Sequence, residues 1–337
     1  MKPNRILFIT AGGKAKKQEL GLGHVYRTIN LAKQFQKRNV FFLVEDYGGS
    51  KKIFSENNFN KNIFSIKPKL LFKEHLNMIK KIIYKYLINT IIVDKYKISQ
   101  SYIDKLRNLA KVVVVRDLQE INFEADILVN GFIGFKNQKY TNKIGTKFLL
   151  GPKYQILNKS FSQKHTKNSK SIDILATFGG FDEKNISDIL AVSLESFISK
   201  LTIKVIQGPV ASKSKKLLSL QKKYPKNLIV IQKTRDMAKE IQNAKFGICS
   251  GGLTTYEFAA LGVPFGIICD EDHQLITAKE WSKHKIAKNL GLINPNSDKK
   301  IKKLIKNFVD DLIVLKKKSN TVDGLGAKRV ANEILKI

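Results

Sequence analysis

The chain contains little cysteine, proline and tryptophan. Only 2 Cys, 7 Pro and 1 Trp occur among its 337 residues. Cys249 and Cys269 lie inside apolar runs without metal-ligand spacing, which excludes a disulfide framework and predicts buried thiols in a reducing compartment. No apolar run approaches the ~20 residues of a membrane span. The N-terminal apolar run leads into a Gly-Gly-Lys loop rather than a small-residue cleavage site, so we expect a cytoplasmic protein.

Acidic residues are also scarce relative to basic ones. Lys and Arg total 61 against 28 Asp and Glu, a formal net charge of +33. Such a balance can mark a protein that binds nucleic acid or a membrane surface. However, only seven of the basic residues are Arg, whose forked donors suit phosphates and bases, and the Lys residues are spread from end to end. The frequent Lys, Asn and Ile favour a drift toward AT-rich codons, so no specific nucleic-acid partner is expected.

Strand and helix patterns alternate along the chain, which predicts an α/β fold with parallel sheets. A length of 337 residues favours two domains. A polar, Ser- and Lys-rich stretch at 158–171 predicts a linker between two Rossmann-like domains, at 1–157 and 172–318, with a last segment at 319–337. The predicted strands are 5–10, 39–45, 90–94, 111–117, 126–130, 172–178, 201–207, 228–232, 246–250 and 264–269, with a polar loop at 11–20. The predicted helices are 25–36, 76–86, 102–110, 185–199, 236–244, 251–261, 273–283, 299–317 and 327–337.

A Gly-x-Gly-His segment, Gly21 to His24, lies where the first loop turns into a helix. Glycine lets the backbone approach a ligand closely, and a helix start offers free N–H groups and a positive dipole end to an anion. His24 at that position is suited to move a proton near neutral pH. The alternative is a Gly-rich turn with an incidental His. On this segment alone the two interpretations have similar weight, because a lone glycine motif is a weak signal.

Further motifs make the pattern specific. With the run Ser-Gly-Gly-x-Thr-Thr-x-Glu-x-x-x-x-Gly-x-Pro in the second half, the chain resembles the GT-B fold. In detail, and nearly end to end, it resembles the family of the pseudaminic-acid pathway UDP-sugar hydrolase and the spore-coat polysaccharide proteins. This family is related to the peptidoglycan N-acetylglucosaminyltransferase. The matching segments are Gly21–Arg27, Val93–Tyr96, Arg116–Leu118, Phe178–Asp182, Ser250–Pro264 and Asp323–Val330.

The resemblance implies a nucleotide site in the second domain. Backbone N–H groups at a helix start can stabilise a leaving diphosphate without a metal. Glu257, one turn into the helix, is expected to accept hydrogen bonds from ribose hydroxyls; the alternative is a capping carboxylate. The residues expected to bind nucleotide or substrate are Gly21, Gly23, Arg27, Gly179, Gly180, Ser250, Gly251, Gly252, Leu253, Thr254, Thr255, Glu257, His273 and Gln274.

The expected catalytic residues, His24, Asp94 and Tyr96, belong to the first domain. If water is the acceptor, His24 removes its proton as the sugar C1 becomes cation-like, and such help is typically worth about 10²–10⁴-fold. Tyr96 has a nearly equal alternative as an aromatic lid or core residue at a strand end. Lys95 replaces a His of the family and His273 replaces an Asn. These departures bear on the identity of the sugar and on the acceptor, and leave the fold and the nucleotide site unchanged.

Three functions are consistent with these residues. The first is a hydrolase that releases UDP from a sugar such as UDP-2,4-diacetamido-2,4,6-trideoxy-β-L-altrose, with substrate in an interdomain cleft and the last helix crossing back to the first domain. The second is an inverting glycosyltransferase with a sugar or lipid-linked acceptor, which would allow peripheral membrane contact. The third is a non-catalytic binder of nucleotide sugars or RNA. No metal or other cofactor is expected, and 270–272 is interpreted as a solvated acidic turn. The sequence leaves the sugar, the acceptor and the oligomeric state open.

Overall fold

The computed structural model divides the chain into two compact units. Unit 1 comprises Met1–Asn158 and Leu325–Ile337, and unit 2 comprises Lys159–Gly324. Most of the predicted linker, 163–170, lies outside the described residues. The structure describes residues 4–15, 18–68, 70–135, 140–142, 145–162, 171–180, 182, 184–208, 211, 214–293, 298–310 and 321–337.

Unit 1 is a parallel sheet covered by helices. The central strands are apolar and almost wholly buried, as expected for a parallel sheet covered on both faces. The strands are β1 (Ile6–Ala15), β2 (Gln18–Leu20), β3 (Val40–Asp46), β4 (Ile63–Ile66), β5 (Thr90–Asp94), β6 (Lys111–Arg116), β7 (Ile127–Asn130) and β8 (Lys147–Leu150). The helices are α1 (Gly23–Ala32), α2 (Ser50–Glu56), α3 (Phe72–Tyr86), α4 (Gln100–Arg107) and α11 (Gly326–Ile334).

The strand order in unit 1 is β4-β3-β1-β5-β6-β7-β8, and these strands pair in parallel. The order reverses direction between β1 and β5. In open α/β sheets, ligands bind outside the carboxyl ends of the strands at such a reversal. Thr10 of β1 pairs with Asp94 of β5 at this edge, so the topology places the predicted residue Asp94 at the expected ligand crevice.

Unit 2 has the same design with a second parallel sheet. Its strand order, β11-β10-β9-β12-β13-β14, reverses between β9 and β12. The predicted α/β class with two parallel sheets is therefore confirmed. The strands are β9 (Ile172–Thr177), β10 (Ile203–Ile206), β11 (Leu228–Ile231), β12 (Ala244–Cys249), β13 (Phe265–Cys269) and β14 (Ala287–Leu292). The helices are α5 (Ile186–Ile198), α6 (Lys215–Lys223), α7 (Met237–Gln242), α8 (Thr254–Ala260), α9 (Asp272–Ser282) and α10 (Asp298–Asp310).

The predicted polar loop at 11–20 is wrong. β1 continues through Ala15 and pairs antiparallel with β2. Gly13 makes this possible, because its φ is +118° and a Cβ there would lie 2.3 Å from the carbonyl oxygen of Gly48. β1 therefore continues past a point where only glycine fits against the loop at Gly48. The polar composition of 11–20 does not reveal this continuation.

α8 is held against β12 by the contact between Phe258 and Gly247. A Cβ on Gly247 would lie 2.1 Å from the Phe258 ring. Gly247 and Phe258 belong to a densely packed interior. Phe258 and the neighbouring Phe265 are fully buried and stacked, with ring centroids 5.6 Å apart. This contact sets the position of the helix that carries Glu257.

We expect Gly247→Ala to lower the free energy of unfolding by about 1–3 kcal/mol, because the added methyl group overpacks this contact. Gly252→Ala is the matched control, since no atom lies within 4 Å of a Cβ at that position. Urea denaturation of both variants measures the difference. Equal stabilities of the two variants would contradict the packing described here.

Candidate active site

Side chains from the first turn of α1 and from the C-terminal end of β5 form a polar cluster at the sheet reversal of unit 1. α1 begins at Gly23, so His24 lies in its first turn. The Nδ1 atom of His24 lies 2.7 Å from Oδ1 of Asp94, and the His24 side chain is 18% exposed. The structure thus brings together two of the three predicted catalytic residues, which are 70 positions apart in the sequence.

The charge of Asp94 determines which nitrogen of His24 carries the proton. Burial raises the pKa of Asp94, but Arg27 and then His24 outweigh it and lower the pKa to about 2. An ionised carboxylate can only accept hydrogen bonds, so Nδ1 of His24 must donate to it. Nη2 of Arg27 also lies 3.1 Å from Nδ1, but an Nδ1 that donates to Asp94 cannot accept from Arg27. The Nε2 atom of neutral His24 is therefore left as a proton acceptor, the form that a general base requires.

Arg27 is buried and bound to two carboxylates. Its Nε and Nη2 atoms donate to Asp94 at 2.7 and 2.6 Å, and its Nη1 and Nη2 atoms donate to Asp117. Burial lowers the pKa of Arg27, but Asp117 and Asp94 outweigh this effect and raise it well above its usual value. All three guanidinium nitrogens are engaged. Arg27 therefore orders the two carboxylates, and its expected contact with substrate or nucleotide stays a prediction.

Asp117 is absent from the predicted site residues. Two sequence signals point to it: its position directly after the buried strand β6, and its place in the matching segment Arg116–Leu118. Partial loss of hydration beside Arg27 raises the pKa of Asp117, and the charge and hydrogen bonds of Arg27 lower it by more, so the net shift is downward although the side chain is 53% exposed. The carboxylate is therefore ionised near neutral pH.

Tyr96 lies just beyond β5 and is 58% exposed, which excludes its interpretation as a core residue. It lines a cavity of about 420 Å³ together with Arg116, Glu120, Phe123 and neighbouring residues. Lys95, the residue that departs from the family motif, points elsewhere. Its Nζ atom lies 2.5 Å from Oε2 of Glu45, and both side chains are largely buried.

In unit 2 the predicted glycine turns follow β9 and β12, at the sheet reversal. Gly179 has a φ of +72° and open space around it, whereas Gly208 packs on the carbonyl oxygens of Gly179 and Gly180 at a distance that admits no Cβ. Gly251 donates its N–H to Oε1 of Gln274 at 3.0 Å. That oxygen also accepts from the N–H of Asp270 at 3.2 Å. Gln274 therefore braces the turn through its side-chain oxygen.

The turn Ser250–Thr254 is supported from inside by Thr255. The Thr255 hydroxyl donates to the carbonyl of Gly252 at 2.8 Å and accepts from Nε1 of Trp281 at 3.0 Å. Both side chains are fully buried. This corrects the expectation that Thr255 contacts the diphosphate, and Trp281 is a packing residue of the interior.

Three backbone donors remain available on this turn. The N–H groups of Gly252, Leu253 and Thr254 have no hydrogen-bond partner within the described ranges. Gly252 is exposed, and Leu253 and Thr254 are partly exposed, whereas Ser250 is buried. Adjacent free N–H groups form a concave donor surface of the kind that binds phosphate oxygens.

Glu257 lies one turn into α8 and is mostly buried. Burial raises its pKa to about 7. Its carboxylate forms no hydrogen bond to any residue that the structure describes, and α8 has no side-chain cap, so the alternative of a capping carboxylate is wrong. An unpartnered carboxylate next to free N–H donors is able to accept hydrogen bonds from a ligand.

The predicted residue His273 lies in the first turn of α9, next to Gln274. His273 is 57% exposed and its Nδ1 atom lies 3.6 Å from Oε2 of Glu271. Asp182, the last residue of the matching segment Phe178–Asp182, accepts from the N–H groups of Ile186 and Ser187 at 2.8 and 3.1 Å and so caps the start of α5. In the part of the chain that the structure covers, no group of three His, Cys, Asp or Glu side chains could hold a metal ion. None of the helices described there is long and apolar enough to cross a membrane.

Two Rossmann-like units, each with a polar cluster at its sheet reversal, define the class of fold as GT-B. MurG of Acinetobacter baumannii matches with a TM-score of 0.70 at 18% identity, covering 99% of this chain and 100% of that one. A UDP co-structure of MnaA from S. aureus matches with a TM-score of 0.64 at 13% identity, covering 98% and 96%. At these identities the likeness establishes the fold alone.

Two curated proteins are similar in sequence. One is the "Uncharacterized protein MJ1062" of Methanocaldococcus jannaschii, 32% identical over 298 residues that cover 80% of this chain. The match spans 56% of that protein, so the chain corresponds to about half of its length. The other is the "Spore coat polysaccharide biosynthesis protein SpsG" of Bacillus subtilis, 26% identical over 284 residues and 81% of each chain. No protein-family profile matches the chain.

We expect Glu257→Gln to stabilise the protein above pH 7 and to change it little at pH 4. The raised pKa means that the folded state binds the Glu257 proton more tightly than the unfolded state does. Wild-type stability is therefore lost as the pH rises from the unfolded pKa toward 7, by up to roughly 3 kcal/mol, and glutamine removes this loss. Urea denaturation of both proteins at several pH values measures it. A constant difference across the pH range would show that Glu257 is not responsible.

Proposed function

We propose that this protein is a UDP-sugar hydrolase that breaks the bond between the sugar C1 and the diphosphate, with water as acceptor. The observation that carries the proposal is the His24–Asp94 pair. Its geometry makes Nδ1 of His24 the donor to Asp94, so that Nε2 is the proton acceptor of the neutral ring, and the side chain is 18% exposed at the sheet reversal. A carboxylate-oriented imidazole of this kind is the usual device for removing a proton from water.

The nucleotide is proposed to bind unit 2. The free N–H groups of Gly252, Leu253 and Thr254 suit the diphosphate, and the unpartnered carboxylate of Glu257 suits ribose hydroxyls. The fold likeness to a protein solved with UDP supports a uridine nucleotide. The relative named for spore coat polysaccharide biosynthesis supports a role in making surface sugars.

The reaction then needs no metal or redox step. The oxygen of water forms a bond to C1, and its proton passes to Nε2 of His24. The C1–O bond to UDP breaks, and its electron pair leaves on the diphosphate. The backbone donors of the unit 2 turn stabilise this negative charge as it develops. In line with the motif resemblance, we propose a 2,4-diacetamido-2,4,6-trideoxy sugar as the glycosyl group.

The second candidate is an inverting glycosyltransferase with the same nucleotide site. The cavity of about 420 Å³ beside Tyr96 favours it, because an organic acceptor needs a volume that a single water does not. The same base would then remove the proton of an acceptor hydroxyl. The presence or absence of UDP release without an acceptor distinguishes the two reactions.

We expect His24→Ala to reduce UDP release by about 10²–10⁴-fold while UDP affinity stays unchanged, because His24 acts on water and not on the nucleotide. The assay follows UDP released from a panel of UDP-sugars, including a 2,4-diacetamido-trideoxy sugar, without an added acceptor. His284→Ala is the control, since His284 is an exposed residue of unit 2 that contacts the ring of Trp281 but none of the predicted catalytic residues. Binding of UDP-sugars by wild type without release would contradict hydrolysis and favour the transferase.

We expect Glu257→Gln to weaken UDP binding by about tenfold at pH 8, the loss expected for a hydrogen bond to a charged group. UDP lacking the ribose 2′- and 3′-hydroxyls should bind both proteins equally, because the proposed donors are then absent. Glu195→Gln removes a half-exposed carboxylate of α5 and is the control. If the variant and wild type differ as much for the deoxygenated nucleotide as for UDP, Glu257 does not bind the ribose. Titration calorimetry provides the affinities.

A further inference from the structure

Arg27 holds two carboxylates that differ in their access to solvent. The Asp94 side chain is 3% exposed and accepts a hydrogen bond from His24, whereas the Asp117 side chain is 53% exposed. Oδ1 of Asp117 accepts from Nη1 of Arg27, and Oδ2 accepts from Nη2 at 3.0 Å. A carboxylate in such a bidentate pair keeps a free acceptor position on each oxygen. Asp117 is therefore a fixed acceptor, open to solvent, in the same cluster as the candidate base.

The backbone that presents Asp117 is held in an unfavourable conformation. Leu118, the next residue, has a φ of +52°, which a leucine rarely adopts. Asn130 of β7 is fully buried, and its Nδ2 atom donates to the carbonyls of Leu118 and Glu120 at 3.0 and 3.2 Å. Its Oδ1 atom accepts from the N–H of Phe132 at 3.0 Å. A neighbouring strand thus fixes the turn, and strained turns held in this way concentrate at ligand sites.

The net charge of the cluster limits what it can bind. Arg27 contributes one positive charge and the two aspartates contribute two negative charges, while the adjacent Arg116 is offset by its partner Glu120, so with neutral His24 these groups carry one net negative charge. The exposed part of that charge is on Asp117. A ligand beside Asp117 binds more tightly when it donates hydrogen bonds and less tightly when it carries a carboxylate of its own.

We propose that Asp117 binds the glycosyl part of the substrate, by accepting hydrogen bonds from its hydroxyl or amide N–H groups, and that it disfavours acidic sugars. This inference rests on the proposed function, because it assumes that a UDP-sugar is the substrate. Asp117 has no part in binding the nucleotide, which is assigned to unit 2. The sugar and nucleotide contributions to affinity are therefore separable by mutation.

The test compares the affinities of UDP, UDP-N-acetylglucosamine and UDP-glucuronic acid for wild type and Asp117→Asn by titration calorimetry. The asparagine keeps an oxygen that can accept from Arg27, and the position is exposed, so the variant is expected to fold; its melting temperature checks this. Asp104→Asn is the control, since Asp104 is an exposed carboxylate on α4. We expect Asp117→Asn to weaken binding of UDP-N-acetylglucosamine about tenfold, to change UDP binding less than about twofold, and to improve the relative binding of UDP-glucuronic acid.

A role confined to supporting Arg27 and His24 would give a different result. UDP release would fall, but the ratio of the UDP-N-acetylglucosamine affinity to the UDP affinity would equal that of wild type, and this would overturn the inference. Equal weakening of UDP and both UDP-sugars would also overturn it. A wild-type protein that binds no UDP would instead remove the proposed function, and the inference with it.

Discussion

The candidate site of unit 1 depends on one buried guanidinium. An unpaired charge in a protein interior is costly, so a buried arginine requires anionic partners, and buried carboxylates require a cation. Arg27 meets both needs by binding Asp94 and Asp117 at once. Because Arg27 keeps Asp94 ionised, Asp94 can orient His24 through a hydrogen bond that His24 donates. The tautomer of the candidate base is therefore a consequence of the ion pair between Arg27 and Asp94.

Unit 2 prepares its site by packing rather than by paired charges. Trp281 and Thr255 lie in the interior and hold the carbonyl of Gly252, so the turn presents its N–H groups outward. Gln274 braces the same turn from α9. Glu257, which has no hydrogen-bond partner among the described residues, is unfavourable in its ionised form, since burial raises its pKa to about 7. Binding sites commonly retain such an unfavourable group, because a ligand can supply the missing partners.

The fold was largely predictable from the sequence, with errors mainly at sheet edges and in polar segments. Central strands such as β5, predicted at 90–94 and observed at Thr90–Asp94, are buried on both faces and form continuous apolar runs. The strands β4, β8 and β14 lie at sheet edges, are only partly buried and gave no such run. Helix α6 is rich in lysine and was also missed. In the site, the motifs indicated His24 and Asp94, but they did not distinguish ligand contacts from internal supports such as Thr255.

The sequence by itself determined the alternation of strands and helices, the glycine turns and the polar residues that follow buried strands. These features are encoded by near neighbours, through periodicity and backbone preference. Only the tertiary structure decided which polar side chains meet. His24 and Asp94 are 70 residues apart, and Arg27 and Asp117 are 90 apart. Their contacts exist because the order of strands in a parallel sheet brings the carboxyl ends of distant segments to one edge, and local sequence does not contain that order.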